Sequence, residues 1–142
     1  MKHQHFDVET AGFYGAYWAC AGGSDCAVIA MIGDDPENRL ARSAVKWLCG
    51  QGVNVLTMSP AKKDYGHHNY PLERVETAIS WLKANGNHKI GIAGASTTGT
   101  LALTAAAMFP DVTLTIAMTP SDFVWQGFMQ GKKDGCKEWP VE

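Results

Sequence analysis

The sequence predicts an α/β fold: a mostly parallel sheet with helices on both faces, entered through an N-terminal antiparallel hairpin. Three observations carry this. From residue 26 onward, short apolar runs alternate with stretches of helical spacing, the order that builds a parallel sheet covered by helices. Gly, Pro and Asn-Gly signals punctuate the segments. The first 20 residues differ, alternating apolar and charged positions before a glycine turn, as a hairpin does.

In chain order, Phe6, Val8 and Thr10 alternate with Asp7 and Glu9, Ala11-Gly12 turns, and Phe13 to Trp18 is aromatic and strand-like. Residues 26–32 (Cys-Ala-Val-Ile-Ala-Met-Ile) form a continuous apolar strand, the signature of burial on both faces. It ends at Gly33-Asp34-Asp35-Pro36, where Asp35 suits a helix cap and Pro36 the first helical position. The helix is expected to run to about Leu48, with Leu40, Ala44 and Leu48 beside Ala41 and Val45 on one face, and Gly50 or Gly52 ending it. Residues 53–58 are the next strand and 59–70 a polar connection. Pro71 opens a second helix, in which Leu72, Val75, Ile79 and Leu82 fall at helical spacing before Asn85-Gly86. Residues 88–93 are a third strand. A third helix spans about 97–109, apolar nearly all round and so expected to be buried. Pro110-Asp111 closes it, and residues 112–118 form a fourth parallel strand.

Residues 119–142 are polar and turn-rich, with no helix or strand pattern to seal the fold. The chain therefore reads as a single, partial domain over 1–142 whose C-terminal part is missing.

Composition excludes several classes. At 142 residues, 46% hydrophobic and 18% charged, the chain suits one cored domain, not a disordered or coiled-coil protein. A net charge of −2, with Lys62-Lys63 and Lys132-Lys133 each followed by Asp, offers no footprint for nucleic acid. The longest apolar run, residues 26–32, is far below the roughly 20 residues that span a bilayer. No membrane partner is expected. The polar start, Met-Lys-His-Gln-His, is no signal segment, so the expected location is the cytoplasm. Cys20, Cys26, Cys49 and Cys136 form no C-x-x-C pair, so no metal or cofactor is expected. Cys26 and Cys49 read as core residues, Cys20 and Cys136 as partly exposed near glycine turns.

The most specific feature is residues 90–99, Ile-Gly-Ile-Ala-Gly-Ala-Ser-Thr-Thr-Gly: a strand running into a tight turn that opens a helix, with Ser96 at its apex. This is the context of a nucleophile elbow, where neighbours two residues away must be small and the hydroxyl stands clear of the strand end. Gly94 satisfies the requirement before Ser96. After it stands Thr98, with Gly99 one place late, so the match to G-x-S-x-G is imperfect. The helix opening at Thr97 brings N–H groups and partial positive charge to an oxyanion beside Ser96. The turn after the first apolar strand, Gly33 or Asp34, would supply the second oxyanion N–H. The bland alternatives are a tight turn with a capping serine and aspartates that merely cap a helix.

Competing phosphate sites fail on residue identity. G-x-x-x-x-G from Gly94 to Gly99 is followed by Thr100-Leu101 where a P-loop needs Lys and then Ser or Thr, and no G-x-G-x-x-G follows any strand. His67 and His68, with Asp64, Tyr65 and Asn69 close by, lie in a loop at the C-terminal edge of the sheet, where they could line a substrate pocket, bind a metal or be solvated or hydrogen-bonding loop residues. His3 and His5 read as preceding the fold, and His88 as lying at the wrong end of the sheet. Asp122 could orient a histidine or cap a helix. No histidine follows it in a chain order of Ser, then Asp or Glu, then His.

The sequence resembles the C-terminal α/β-hydrolase domain shared by acyl-CoA thioesterases and bile acid-CoA:amino acid N-acyltransferases, in its bacterial branch. The resemblance rests on residues 12–15 (Gly-Phe-Tyr-Gly), 58–60 with 65–71, 91–99 and 117–127, and spans nearly the whole chain. It implies a Ser nucleophile at Ser96 that attacks an acyl thioester or ester and passes the acyl group to water or an amine. It also implies that the acid and histidine of the triad lie beyond this stretch, leaving the 142 residues inactive or nearly so. The substrate expected is a small acyl ester or thioester. Two non-catalytic alternatives stand beside it: a binding module that holds a ligand through Ser96, His67 and His68, and a homo-oligomer assembled through the strand at 112–118, which would otherwise be an edge.

Overall fold

The computed structural model describes residues 3–33, 35–59 and 70–124. In chain order these form β1 (His3–Phe6), α1 (Val8–Ala11), β2 (Gly15–Trp18), β3 (Cys26–Met31), α2 (Arg39–Gly50), β4 (Asn54–Met58), α3 (Glu73–Ala84), β5 (Lys89–Ala95), α4 (Thr97–Met108) and β6 (Val112–Met118). The described strands make one sheet in the order β1-β2-β4-β3-β5-β6. β4, β3, β5 and β6 run parallel, while β1 and β2 form an antiparallel hairpin docked on β4.

Strand pleating explains why β3 reads as unbroken apolar sequence. Alternate residues point to opposite faces, and both faces are covered. Ala27, Ile29 and Met31 join Val75, Ala78, Ile79 and Leu82 of α3 and Ala102 and Ala105 of α4 in one core. Val28 and Ala30 join Val45 and Leu48 of α2, with Trp18 and Val55, in the other. α2 therefore lies on one face of the sheet, and α3 and α4 on the opposite face.

Several local details differ from the sequence expectation. Val8–Ala11 is a helical turn, not strand, because the Asp7 carboxylate accepts the Thr10 N–H and Gly12, at φ 78°, ends it. α2 is capped by Asn38, which accepts the Ala41 N–H at 2.9 Å. Asp35 instead holds the preceding turn by accepting the Glu37 N–H. The buried stripe of α2 is Ala41, Val45 and Leu48, leaving Leu40 on the flank and exposed. α4 buries only the side facing the sheet, and Leu103 and Met108 are exposed. Cys20 is buried, whereas Cys26 and Cys49 are half-buried. Cys136 lies outside the described residues.

The lower end of the sheet is tied by a polar network that the sequence does not advertise. Asn54 accepts the Cys20 N–H and donates to the Ser24 carbonyl and to Asn87 Oδ1. Asn87 in turn donates to the Leu82 carbonyl at 3.1 Å. Both asparagines are buried, and these bonds offset the cost of burying their amides.

Candidate active site

The sheet order fixes where a site can form. β4 lies on one side of β3 and β5 on the other. The chain leaves β3 for α2 on one face and leaves β5 for α4 on the opposite face. Two loops that depart in opposite directions from neighbouring parallel strands leave a crevice at the strands' C-terminal ends, the topological switch point where α/β proteins bind ligands. The turns at that crevice are those of Gly33 and Ser96. Each lies two residues beyond the Met31–Gly94 pairing that ends the β3–β5 ladder.

Ser96 adopts φ 56° and ψ −122° between β5 and α4. A non-glycine residue in this region is strained, and the surrounding structure must hold it there. Its side chain makes no capping bond to the helix and the residue is exposed, so the bland role of capping serine is not what the geometry shows. Its own N–H donates to the Met118 carbonyl at 2.9 Å. The next residue, Thr97, opens a 12-residue helix whose N-terminus carries partial positive charge.

The turn closes tightly. A Cβ on Gly94 would lie 2.0 Å from the Thr98 carbonyl oxygen, so the backbone itself excludes any side chain there. Two places after Ser96, Thr98 is tolerated because its side chain turns inward. The hydroxyl lies 2.7 Å from the Met31 carbonyl and 2.8 Å from that of Ala95, and it accepts the Ala95 N–H at 3.0 Å. The glycine one place late also has a purpose: a Cβ on Gly99 would come within 3.0 Å of the Met118 carbonyl, so Gly99 lets α4 approach the end of β6. Thr100 then accepts the Ser121 N–H, holding the chain beyond β6 to the same helix. Thr119, at φ 47°, is the other non-glycine residue of positive φ among the described residues, and it follows the Met118 carbonyl that accepts the Ser96 N–H.

Gly33 has φ 90°, a conformation that favours glycine, and a Cβ there would sit 2.7 Å from the Asn38 amide. The turn after β3 is also braced from outside. The His3 and His5 rings donate to the two carboxylate oxygens of Glu37, and His3 stacks on Trp18 at 4.1 Å. These histidines are part of the fold, not ahead of it.

Of the residues expected at the site, the structure brings together Ser96, Thr97 and Gly33. Asp34, Tyr65, His67 and His68 lie outside the described residues. His88 precedes β5 at the far end of the sheet, as expected, and its N–H donates to the Asp25 carbonyl. Asp25, at that same end, has its carboxyl held below the usual range by a hydrogen bond from the Cys26 thiol and by the charge of Lys89. Asp122 is exposed beyond β6. Among the described residues no group of His, Cys, Asp or Glu could hold a metal ion, and no helix is long and apolar enough to cross a membrane.

No protein-family profile and no curated protein matches the sequence. Solved structures do match. An esterase from Pyrococcus furiosus superposes with a TM-score of 0.64 at 20% identity, over 84% of this chain and 49% of that one. A cold-adapted esterase from an Arctic intertidal metagenomic library gives 0.59 at 18% identity, over 71% of this chain and 52% of its own. A protein of unknown function from Agrobacterium tumefaciens, described as a candidate α/β hydrolase, gives 0.65 at 14% identity, over 86% and 63%. The chain thus spans about half to two-thirds of the length of the structures it matches. These likenesses, together with a mostly parallel six-stranded sheet carrying helices on both faces, show the α/β-hydrolase fold.

Proposed function

We propose that Ser96 is the nucleophile of an acyl-transfer reaction on an ester or thioester, with the Thr97 and Gly33 N–H groups, or that of Asp34, receiving the oxyanion. The observation that carries this reading is the backbone of Ser96, held at φ 56° and ψ −122° with its side chain exposed at the switch point of the sheet. Strain of this kind persists only where surrounding structure enforces it, and it clusters at functional sites. The esterase names of two structural neighbours and the resemblance to acyl-CoA thioesterases and N-acyltransferases support the same chemistry.

In the proposed step, Ser96 Oγ attacks the acyl carbonyl carbon while its proton passes to a general base. The carbonyl electrons move to the oxygen, which the two N–H groups stabilise. Collapse expels an alcohol or thiol, which takes up the proton, and leaves the acyl group on Ser96 for transfer to water or an amine. No histidine among the described residues stands at the elbow, so the base comes from outside them. Without that base the described residues would turn over slowly at best, since an oxyanion hole alone leaves only residual catalysis.

Steady-state hydrolysis of a short-chain p-nitrophenyl ester and of acetyl-CoA by the full-length protein tests this, beside Ser96→Ala. The expected result is turnover that falls by about a hundredfold or more in Ser96→Ala. Equal turnover by the variant overturns the assignment. A second reading, assembly into a homo-oligomer through β6, is favoured by the exposure of Leu114 and Met118 on that strand. Sedimentation equilibrium decides it: a dimer that Leu114→Lys dissociates supports it, and a monomer removes it.

A further inference from the structure

We propose that Thr98 is the positioning residue of this site, its hydroxyl locking the elbow onto the end of β3 so that both oxyanion donors keep their separation. The inference rests on the acyl-transfer reading above and goes beyond it. The usual elbow carries glycine two places after the nucleophile. Here a threonine, 5% exposed, occupies that place and makes contacts that glycine could not make.

A hydroxyl has one proton and two lone pairs. In Thr98 the proton lies between two carbonyl oxygens, at 2.7 Å from Met31 and 2.8 Å from Ala95, and a lone pair accepts the Ala95 N–H at 3.0 Å. All three partners are backbone atoms of the strands that lead into the site. Ala95 immediately precedes Ser96, and Met31 stands two residues before Gly33. The bond to Met31 crosses 67 residues of sequence and ties the first turn of α4 to the end of β3, two residues before Gly33. A simple capping bond would stay within its own turn. Because Thr98 is buried beneath the elbow while Ser96 is exposed, it acts on the reacting groups through backbone alone.

Without this hydroxyl the first turn of α4 loses its bond to the end of β3, and the Thr97 and Gly33 donors shift relative to each other. A misplacement on the order of 1 Å is enough to cost about a hundredfold in rate. Binding of the ground-state carbonyl makes less demand on that spacing, so the loss belongs in kcat and not in KM.

The experiment compares Thr98→Val, Thr98→Ser and Thr98→Ala with wild type and Ser96→Ala, all in the full-length protein, by p-nitrophenyl ester kinetics with thermal midpoints recorded. Valine keeps the shape and removes the hydroxyl; serine keeps the hydroxyl and removes the methyl. The expected result is kcat lowered about 10- to 100-fold in Thr98→Val and Thr98→Ala with KM within about twofold, and kcat within about threefold of wild type in Thr98→Ser. Wild-type kcat in either hydroxyl-free variant, or a serine variant as impaired as alanine, overturns the inference. If Ser96→Ala abolishes turnover while Thr98→Val keeps wild-type kcat, the positioning role alone fails. If Ser96→Ala changes nothing, the acyl-transfer reading fails with it.

Discussion

Replacing Gly94 by alanine asks one question of the elbow: whether its closure is as tight as the geometry states. Gly94 is not among the residues of positive φ, so alanine suffers no backbone penalty there and only space is at issue. A Cβ would lie 2.0 Å from the Thr98 oxygen, 2.4 Å from its carbonyl carbon and 2.8 Å from the Gly99 nitrogen, where ordinary contact begins at 3.4 Å. All three atoms are backbone of the first turn of α4, so no side chain can rotate away. Relief requires that turn to move by roughly 1 Å. Overpacking of this kind costs about 3 kcal/mol. In a chain of this size that corresponds to a melting temperature lower by about 6–12 °C. The same displacement moves the Thr97 N–H, and acylation of Ser96 should slow about a hundredfold. Gly50 is the control: it ends α2, has open space around it and lacks positive φ, so Gly50→Ala is expected to be neutral or to stabilise by up to about 1 kcal/mol. Circular dichroism melts and stopped-flow acylation read both effects. A Gly94→Ala protein within about 0.5 kcal/mol of wild type would show that the turn is not closed this tightly.

Three further expectations follow from particular contacts. Gly33→Ala combines φ 90° with a 2.7 Å clash against Asn38, whereas Gly22→Ala shares φ 90° in open space; the first should cost at least about 1 kcal/mol more than the second in urea titration, and equal costs would contradict the clash. Asn87→Ala breaks the bond from Asn54 and one to the Leu82 carbonyl, so a loss of about 1–3 kcal/mol is expected at unchanged m-value, and an unchanged midpoint would show the network to be idle. Burial, and then the charge of Cys20, raises the Cys49 thiol above the ordinary cysteine range. Its thiolate is scarce at pH 8, and iodoacetamide should modify it more slowly than free cysteine until the pH rises past that range; faster modification at pH 8 would contradict the assignment.

What the sequence discloses, and what it withholds, follows the reach of each interaction. β3 is legible because burial on both faces demands apolar residues without a break, and residues 26–31 show none. α3 is legible from Val75, Ile79 and Leu82, which recur at the period of one buried stripe. The turn after β5 is legible because Gly94 is dictated by backbone geometry within a few residues, and a serine two places on, against the conformation's preference for glycine, marks the apex. The start of α2 is not, since Asp35 and Asn38 are both good caps and Pro36 suits either start. The choice is settled by the turn that Asp35 holds and by the Arg42 side chain donating to the Glu37 carbonyl. Thr98 reads in sequence as a misfit. Its partner Met31 lies on another strand, and no local pattern reports a bond of that reach. The pairing of His3 and His5 with Glu37 is hidden for the same reason. The exposed outer side of α4 is hidden for another: an alanine-rich helix shows the same composition whether or not its second face is covered.

On the proposed mechanism the strained turn after β5 presents Ser96 as a nucleophile. Its most direct test is labelling of the full-length protein with a fluorophosphonate, followed by intact mass and peptide mapping. A single adduct is expected on the peptide that contains Ser96, absent from Ser96→Ala and slowed in Gly94→Ala. An adduct on another residue, or no adduct on the folded protein, would contradict it.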